Sequence, residues 1–271
     1  QLMAPGLRGV LVLSDGLGVN GSELIRGLNT ILPAHVVVSG GLAGDGERFK
    51  RTWVVKDGLP LGGYVTAVGL YGTAIRLTHG SKGGWDLFGP ERLITRSQGN
   101  VLYELNNKPA LQLYKDYLGE LARGLPGTAL HFPLSIRQKQ EDTKRLVRTI
   151  LGIDHTAQSL TFAGDMPEGA YAQFMRANFD RLIQGASDAA TLATPLSTDS
   201  TPTLSIAISC VGRRMVLGQR TEEEVEATFD ILPKGAQQIG FYSYGEISPY
   251  STGQCDLHNQ TMTLTTISEA A

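Results

Sequence analysis

The chain has 271 residues, 41% of them apolar and 18% charged, with a formal net charge of −2. That is enough chain to bury a full core, and the balance excludes wholesale disorder and gives no reason to expect a nucleic-acid partner or an anionic membrane. Two cysteines, Cys210 and Cys255, are too few for a disulfide framework; no apolar run reaches the ~20 residues that span a bilayer and nothing at the amino end resembles a signal peptide, so a reduced, cytoplasmic setting is expected.

Gly9-Val-Leu-Val-Leu-Ser-Asp15 is a short apolar run that predicts a strand. A helix follows over residues 21–32, with Leu24, Ile25, Leu28, Ile31 and Leu32 on one stripe, closing at Ile31-Leu32-Pro33. A second apolar run, His35 to Ser39, leads into a glycine turn with one acid, Gly40-Gly41-Leu42-Ala43-Gly44-Asp45. Residues 48–79 alternate β-prone stretches with glycine turns and read as antiparallel strands, Tyr64 to Leu70 among them. Residues 80–107 are glycine-rich, then strand-like, with Asn106-Asn107 as a turn. Lys108 to Arg123 predicts a helix with Ala110, Tyr114, Tyr117, Leu118 and Leu121 inward, and residues 134–145 read as a polar loop. The turn Gly164–Gly169 feeds an expected helix from Tyr171 to Ala193, with Phe174, Phe179, Leu182, Ile183 and Ala186 in register. Thr194 to Pro202 is a low-complexity surface loop.

The last third repeats the layout of the first. Leu204 to Cys210 is again a short apolar run. A helix with a Thr221–Glu224 capping box and Val225, Phe229 and Leu232 buried ends at Ile231-Leu232-Pro233. Ile239 to Ser243 then leads to the turn Tyr244-Gly245-Glu246, and Thr261 to Ile267 closes the unit as Tyr64 to Leu70 closes the first. Two copies predict a mixed α/β fold: two similar strand–helix–strand lobes, with mixed, partly antiparallel sheets packed by helices and a cleft where the lobes face each other.

Several groups could carry chemistry. Gly41–Gly46 does not open a helix, so it reads as a tight turn rather than a phosphate loop. Cys255 and His258 supply two zinc ligands where a structural site needs four, and no spacing rule adds Cys210. Haem needs one axial ligand and an apolar slot, with His258 the first candidate and His79 the next. Ser209-Cys210-Val211-Gly212-Arg213-Arg214 ends a strand and leads into a loop, where Arg213 and Arg214 could grip a carboxylate or phosphate. Gly240-Phe241-Tyr242-Ser243-Tyr244-Gly245-Glu246 is an aromatic strand of the kind that lines small-molecule pockets. With it, Glu246, His258 and Asn259 are expected to converge near the ends of neighbouring strands. A nucleophilic Cys210 or Cys255 would need a base nearby, and no motif indicates a reaction.

Gly240 to Ile247 followed by Leu257-His258-Asn259-Gln260-Thr261-Met262-Thr263 resembles the carboxy-terminal signature of FIST domains. Ser209–Arg214, Phe162–Gly169 and Val38–Asp45 are similar to other stretches of that family. The resemblance implies a FIST N-like lobe over residues 1–105, entered mid-domain at Gln1 and so amino-terminally truncated, and a FIST C-like lobe over residues 106–271. It implies sensing without catalysis: a cytosolic domain that binds an amino-acid-like ligand or other small anion or metabolite. Occupancy would pass to a histidine kinase, cyclase or chemoreceptor. Because some members bind haem, a haem-bound nitric-oxide sensor is the alternative, and a Cys/His-dependent enzyme the second. The ligand residues expected from the side-chain chemistry are Cys210, Arg213, Arg214, Tyr244, Gly245, Glu246, His258 and Asn259.

Overall fold

The computed structural model describes residues 2–194, 202–250 and 254–270; most of the Thr194–Pro202 loop lies outside them. There are two compact units, Gln1–Gly84 with Leu182–Ala271, and Trp85–Arg181.

The first unit opens with β1 (Leu7–Ser14), α1 (Gly21–Ile31), β2 (Val37–Ala43), β3 (Val54–Lys56), β4 (Leu59–Leu61), β5 (Val65–Tyr71) and β6 (Ile75–Lys82). The second unit holds β7 (Asp86–Gln98), β8 (Val101–Leu105), β9 (Lys108–Pro109), α2 (Ala110–Leu118), β10 (Leu134–Arg137), β11 (Leu146–Arg148), β12 (Ile150–Asp154), β13 (Ser159–Phe162) and β14 (Tyr171–Arg176). The chain re-enters the first unit within α3 (Phe179–Ala193). It finishes with β15 (Leu204–Cys210), α4 (Val211–Leu217), α5 (Thr221–Phe229), β16 (Gln237–Pro249), β17 (Cys255–His258) and β18 (Met262–Glu269). The mixed α/β class expected from the sequence is what the chain adopts.

The first unit is built on one sheet in the order β5-β1-β2-β16-β15-β18-β6, with β17 on β16. The repeat is plain in this order. β1 is parallel to β2 and antiparallel to β5; β15 is parallel to β16 and antiparallel to β18. The two copies join edge to edge where β2 meets β16, from Ala43↔Ser243 to Gly40↔Ile247, so they share a sheet instead of facing each other across a cleft. The correspondence extends to single atoms. A Cβ on Gly40 would lie 1.8 Å from the Val12 carbonyl oxygen, and one on Gly240 1.8 Å from that of Ala207. Thr66 Oγ1 donates to Leu13 O at 3.4 Å as Thr263 Oγ1 donates to Ile208 O at 3.1 Å. Asp15 N donates to Tyr64 O as Cys210 N donates to Thr261 O. The sheet also curls: Thr265 Oγ1 on β18 donates to Ser39 Oγ on β2 at 2.6 Å, past two intervening strands.

α1 starts where the Asn20 side chain accepts the Glu23 N–H at 3.1 Å. It lays Ile25, with Leu24 and Leu28, over Val10, Val12, Val38 and Leu42, each fully buried side chain contributing about 1.5–3 kcal/mol of transfer energy. Ile31, expected on that stripe, is exposed. α3 covers β18 and β6 with alanines; Ala186, Ala189 and Ala190 pack on Met262 and Leu264, small enough for Gly80 to touch the Ala189 carbonyl.

The second unit has its own sheet, β11-β10-β14-β7-β8-β13-β12 with β9 on β8, and a core around α2 that includes Leu111, Tyr114, Phe162 and Phe174. Three local expectations change here. Tyr171–Arg176 is a strand, and the helix begins only at Phe179, because Ala172, Phe174 and Met175 are buried in the ladder between β10 and β7. Leu134–Arg137 is a strand too, with Leu134 and Ile136 in the core. α2 stops at Leu118 because Gly119 turns to φ +57°; the next residues form a 3₁₀ turn and Leu121 is exposed.

Candidate functional site

α4 and α5 replace α1 in the second copy, and they do not fill the same space. α4 starts directly at Val211, where a loop was expected, and breaks at Gly218, φ +56°. The inward residues of α5 are Glu224 and Thr228; Val225 and Phe229, expected inside, are exposed. Thr221 does not cap: its hydroxyl donates to the Gly218 carbonyl at 2.6 Å. Where the first copy has Val10, Val12, Val38 and Leu42, the second has Ser205, Ala207, Gln238 and Tyr242. The result is a hollow of about 190 Å³ lined by Ala207, Ser209, Val225, Gln238, Ile239, Gly240, Phe241, Tyr242 and Met262. Sequence reasoning singled out its aromatic strand but missed Ala207, Gln238 and Met262. The signal is in the residues that the second copy carries at core positions of the first: Ser205 and Ala207 are smaller than the valines they replace, and Gln238 and Tyr242 are more polar.

Under the hollow lies a buried ionic network. Glu224 accepts from Ser209 Oγ at 3.1 Å, Tyr242 Oη at 3.0 Å and Arg213 Nε at 3.0 Å. Arg213 also donates to the carbonyls of Gly83 and Leu182. Neither Arg213 nor Glu224 has side-chain surface open to solvent, so the Arg213 guanidinium is occupied within the chain. Burial, then the Glu224 carboxylate, pushes the Tyr242 hydroxyl far up. Arg214, the next residue, is exposed, with its guanidinium carbon 5.4 Å from the Tyr242 ring centroid.

The remaining expected residues gather at the centre of the sheet, away from the hollow. Glu246 and His258 are direct cross-strand partners, yet each side chain is bonded elsewhere. Glu246 is fully buried and accepts from Ser243 Oγ at 2.7 Å and Thr261 Oγ1 at 2.9 Å; burial pushes its carboxyl up to about 7, against these bonds and Arg213. His258 pairs Nε2 with Ser248 O at 2.9 Å, with Nδ1 3.4 Å from Ser81 Oγ. Asn259 Nδ2 donates to His258 O, and its buried Oδ1 has no partner among the described residues. Gly245 packs where a Cβ would meet Leu257 at 2.9 Å. Tyr244 bonds Asp45 and the Gly46 carbonyl and stacks on Phe49 at 4.7 Å.

Asp15 and Cys210 occupy matching places at the ends of β1 and β15. Burial pushes Asp15 up, but bonds from Thr52 and from the Leu17, Gly63 and Gly18 amides outweigh it and hold the carboxyl at about 2. Burial pushes the Cys210 thiol far up, aided by Glu246 and opposed by the Gln260, Gly212 and Arg213 amides. Gly63 and Gln260 both sit at positive φ, +74° and +58°. A thiol kept neutral by burial is a poor nucleophile. Haem does not fit at His258, whose two ring nitrogens are engaged inside the sheet. Among the described residues no three His, Cys, Asp or Glu side chains are grouped to hold a metal ion, and no helix is long and apolar enough to cross a membrane.

Fold and hollow define a duplicated mixed α/β module. The FIST N domain profile matches residues 1–108 and the FIST C domain profile residues 110–249; the chain belongs to the FIST family of sensory domains. It is also similar to two uncharacterized proteins of Mycobacterium tuberculosis, one from each of two strains, at 27% identity over 269 residues. The match covers 94% of this chain, which spans 66% of the length of those relatives.

Proposed function

We propose that this chain is a cytoplasmic sensory module that takes a small ligand into the hollow over β15 and β16 and relays occupancy to a signalling partner such as a histidine kinase, cyclase or chemoreceptor. The observation that carries the reading is the contrast between the copies: one scaffold, packed solid under α1 by Val12, Val38 and Leu42, and open under α5 beside Ala207, Gln238 and Tyr242. At about 190 Å³ the space exceeds the roughly 150 Å³ that suffices for benzene. Binding without catalysis is favoured by the high thiol pKa of Cys210 and the engaged ring of His258, which count against a Cys210–His258 nucleophile–base pair. The same engagement of His258 weighs against the haem alternative.

Relay requires the ligand to favour one arrangement of α5 over another by a differential affinity of ~1–3 kcal/mol. The test is mass spectrometry of small molecules that copurify with the folded protein, repeated on Ala207→Leu, which fills the hollow. A ligand present in the wild type and lost from a folded Ala207→Leu supports the reading. A ligand retained at full occupancy overturns it.

A further inference from the structure

The hollow's charge inventory is one-sided. Arg214 stands over the ring of Tyr242, a lining residue, and among the described residues no acid pairs with it. The acid nearest the lining, Glu224, is closed to solvent and shared among Ser209, Tyr242 and Arg213. Gln238 is turned to Thr228, Nε2 to Oγ1 at 3.0 Å. Glu222 and Glu226 are exposed and do not line the hollow, and Glu223 is paired with Arg220. The remaining surface is Ala207, Val225, Ile239, Gly240, Phe241 and Met262.

We infer that the hollow takes a small monocarboxylate with an apolar body of roughly five to eight carbons, the scale set by benzene-sized cavities, and discriminates against zwitterionic amino acids. The inference rests on the hollow being the ligand site. The carboxylate meets Arg214 at the rim, where a charge-assisted bond forms without full desolvation. The apolar tail enters the hollow. An α-ammonium would be held beside the Arg214 guanidinium with no carboxylate of the lining to face it, so like charges repel there. Arg213 and Arg214 divide the work because consecutive residues on a helix point about 100° apart: one is sealed beneath the hollow and the other stands over its edge.

The experiment is calorimetric titration of wild type, Arg214→Gln and Ala207→Leu with hexanoate, leucine and 1-hexanol, with a melting curve for each variant and Ala207→Val in reserve should the leucine variant not fold. Hexanoate is expected to bind wild type about tenfold more tightly than leucine, and to lose about tenfold in Arg214→Gln, the equivalent of one charged hydrogen bond. 1-Hexanol should be indifferent to that change, and Ala207→Leu should weaken both. If leucine binds as well as hexanoate, or hexanoate ignores Arg214→Gln while Ala207→Leu still weakens it, the ligand class is wrong and the hollow stands. If no probe binds, or binding is indifferent to filling the hollow, the site itself falls and the class with it.

Discussion

Arg213 and Glu224 form an ion pair that no solvent reaches, Nη2 to Oε2 at 2.9 Å, between α4 and α5. Its partners are all internal: Ser209, Tyr242 and the carbonyls of Gly83 and Leu182. The pair fixes the two short helices to the sheet and to the start of α3, and through Glu224 it holds Ser209 and Tyr242, which line the hollow.

Removing one member strands the other. Arg213→Ala or Glu224→Ala should each cost about 3–5 kcal/mol, read as a fall in the urea midpoint. The double change to Met at both positions should cost clearly less than the two single losses added together. Additive losses would mean that the two charges do not act as a pair.

Glu246 makes stability depend on pH. Its folded carboxyl lies at about 7, above the ordinary 4.5, so the fold holds the proton more tightly than the unfolded chain does. This contribution is full below pH ~4.5 and is lost as pH rises through ~7, with an upper limit of about 3 kcal/mol. Denaturation at pH 5 and pH 8 should show the wild type losing more stability than Glu246→Gln over that interval. Equal losses would show that Glu246 titrates normally.

Gly240→Ala and Gly40→Ala should each cost at least about 3 kcal/mol, because the new methyl meets a backbone carbonyl that cannot move aside. Gly46→Ala has open space, and only its positive φ opposes it, so about 1 kcal/mol is expected. Melting curves rank the three. A mild Gly240→Ala would mean that β15 and β16 are not held at this separation.

The Tyr244 hydroxyl is the largest cause holding the Asp45 carboxyl well below the usual range, with the Arg51 amide next. Tyr244→Phe should raise the Asp45 pKa, followed by carbon-detected carboxyl titration. The ring stack with Phe49 should keep the loop in place. An unmoved Asp45 would assign its low value to the loop amides alone.

The duplication was legible because strands that share a buried face must share a pattern: the runs ending at Asp15 and Cys210 both close in Ser plus a small residue. How the copies met was not, since edge pairing of β2 with β16 leaves no local mark. Tyr171–Arg176 reads as helix in the sequence because a short apolar stretch next to a true helix fits both periods. Glu224 reads as part of a cap because Thr221 precedes it by three; its partner, Arg213, lies on another helix. In sequence Arg213 and Arg214 look equivalent, and only their place on a helix, α4, separates them.

The seam between the copies has four ladder pairs with an irregularity between Ser243 and Gly245, against six between β1 and β2 and seven between β15 and β16. It is the shortest of these three ladders, and so the one with the fewest backbone pairs to break when the sheet opens locally. Amide exchange at Leu42 and Gly245 should therefore outrun that at Val12 and Ile208, and equal protection across all four would mean the halves breathe as one plank.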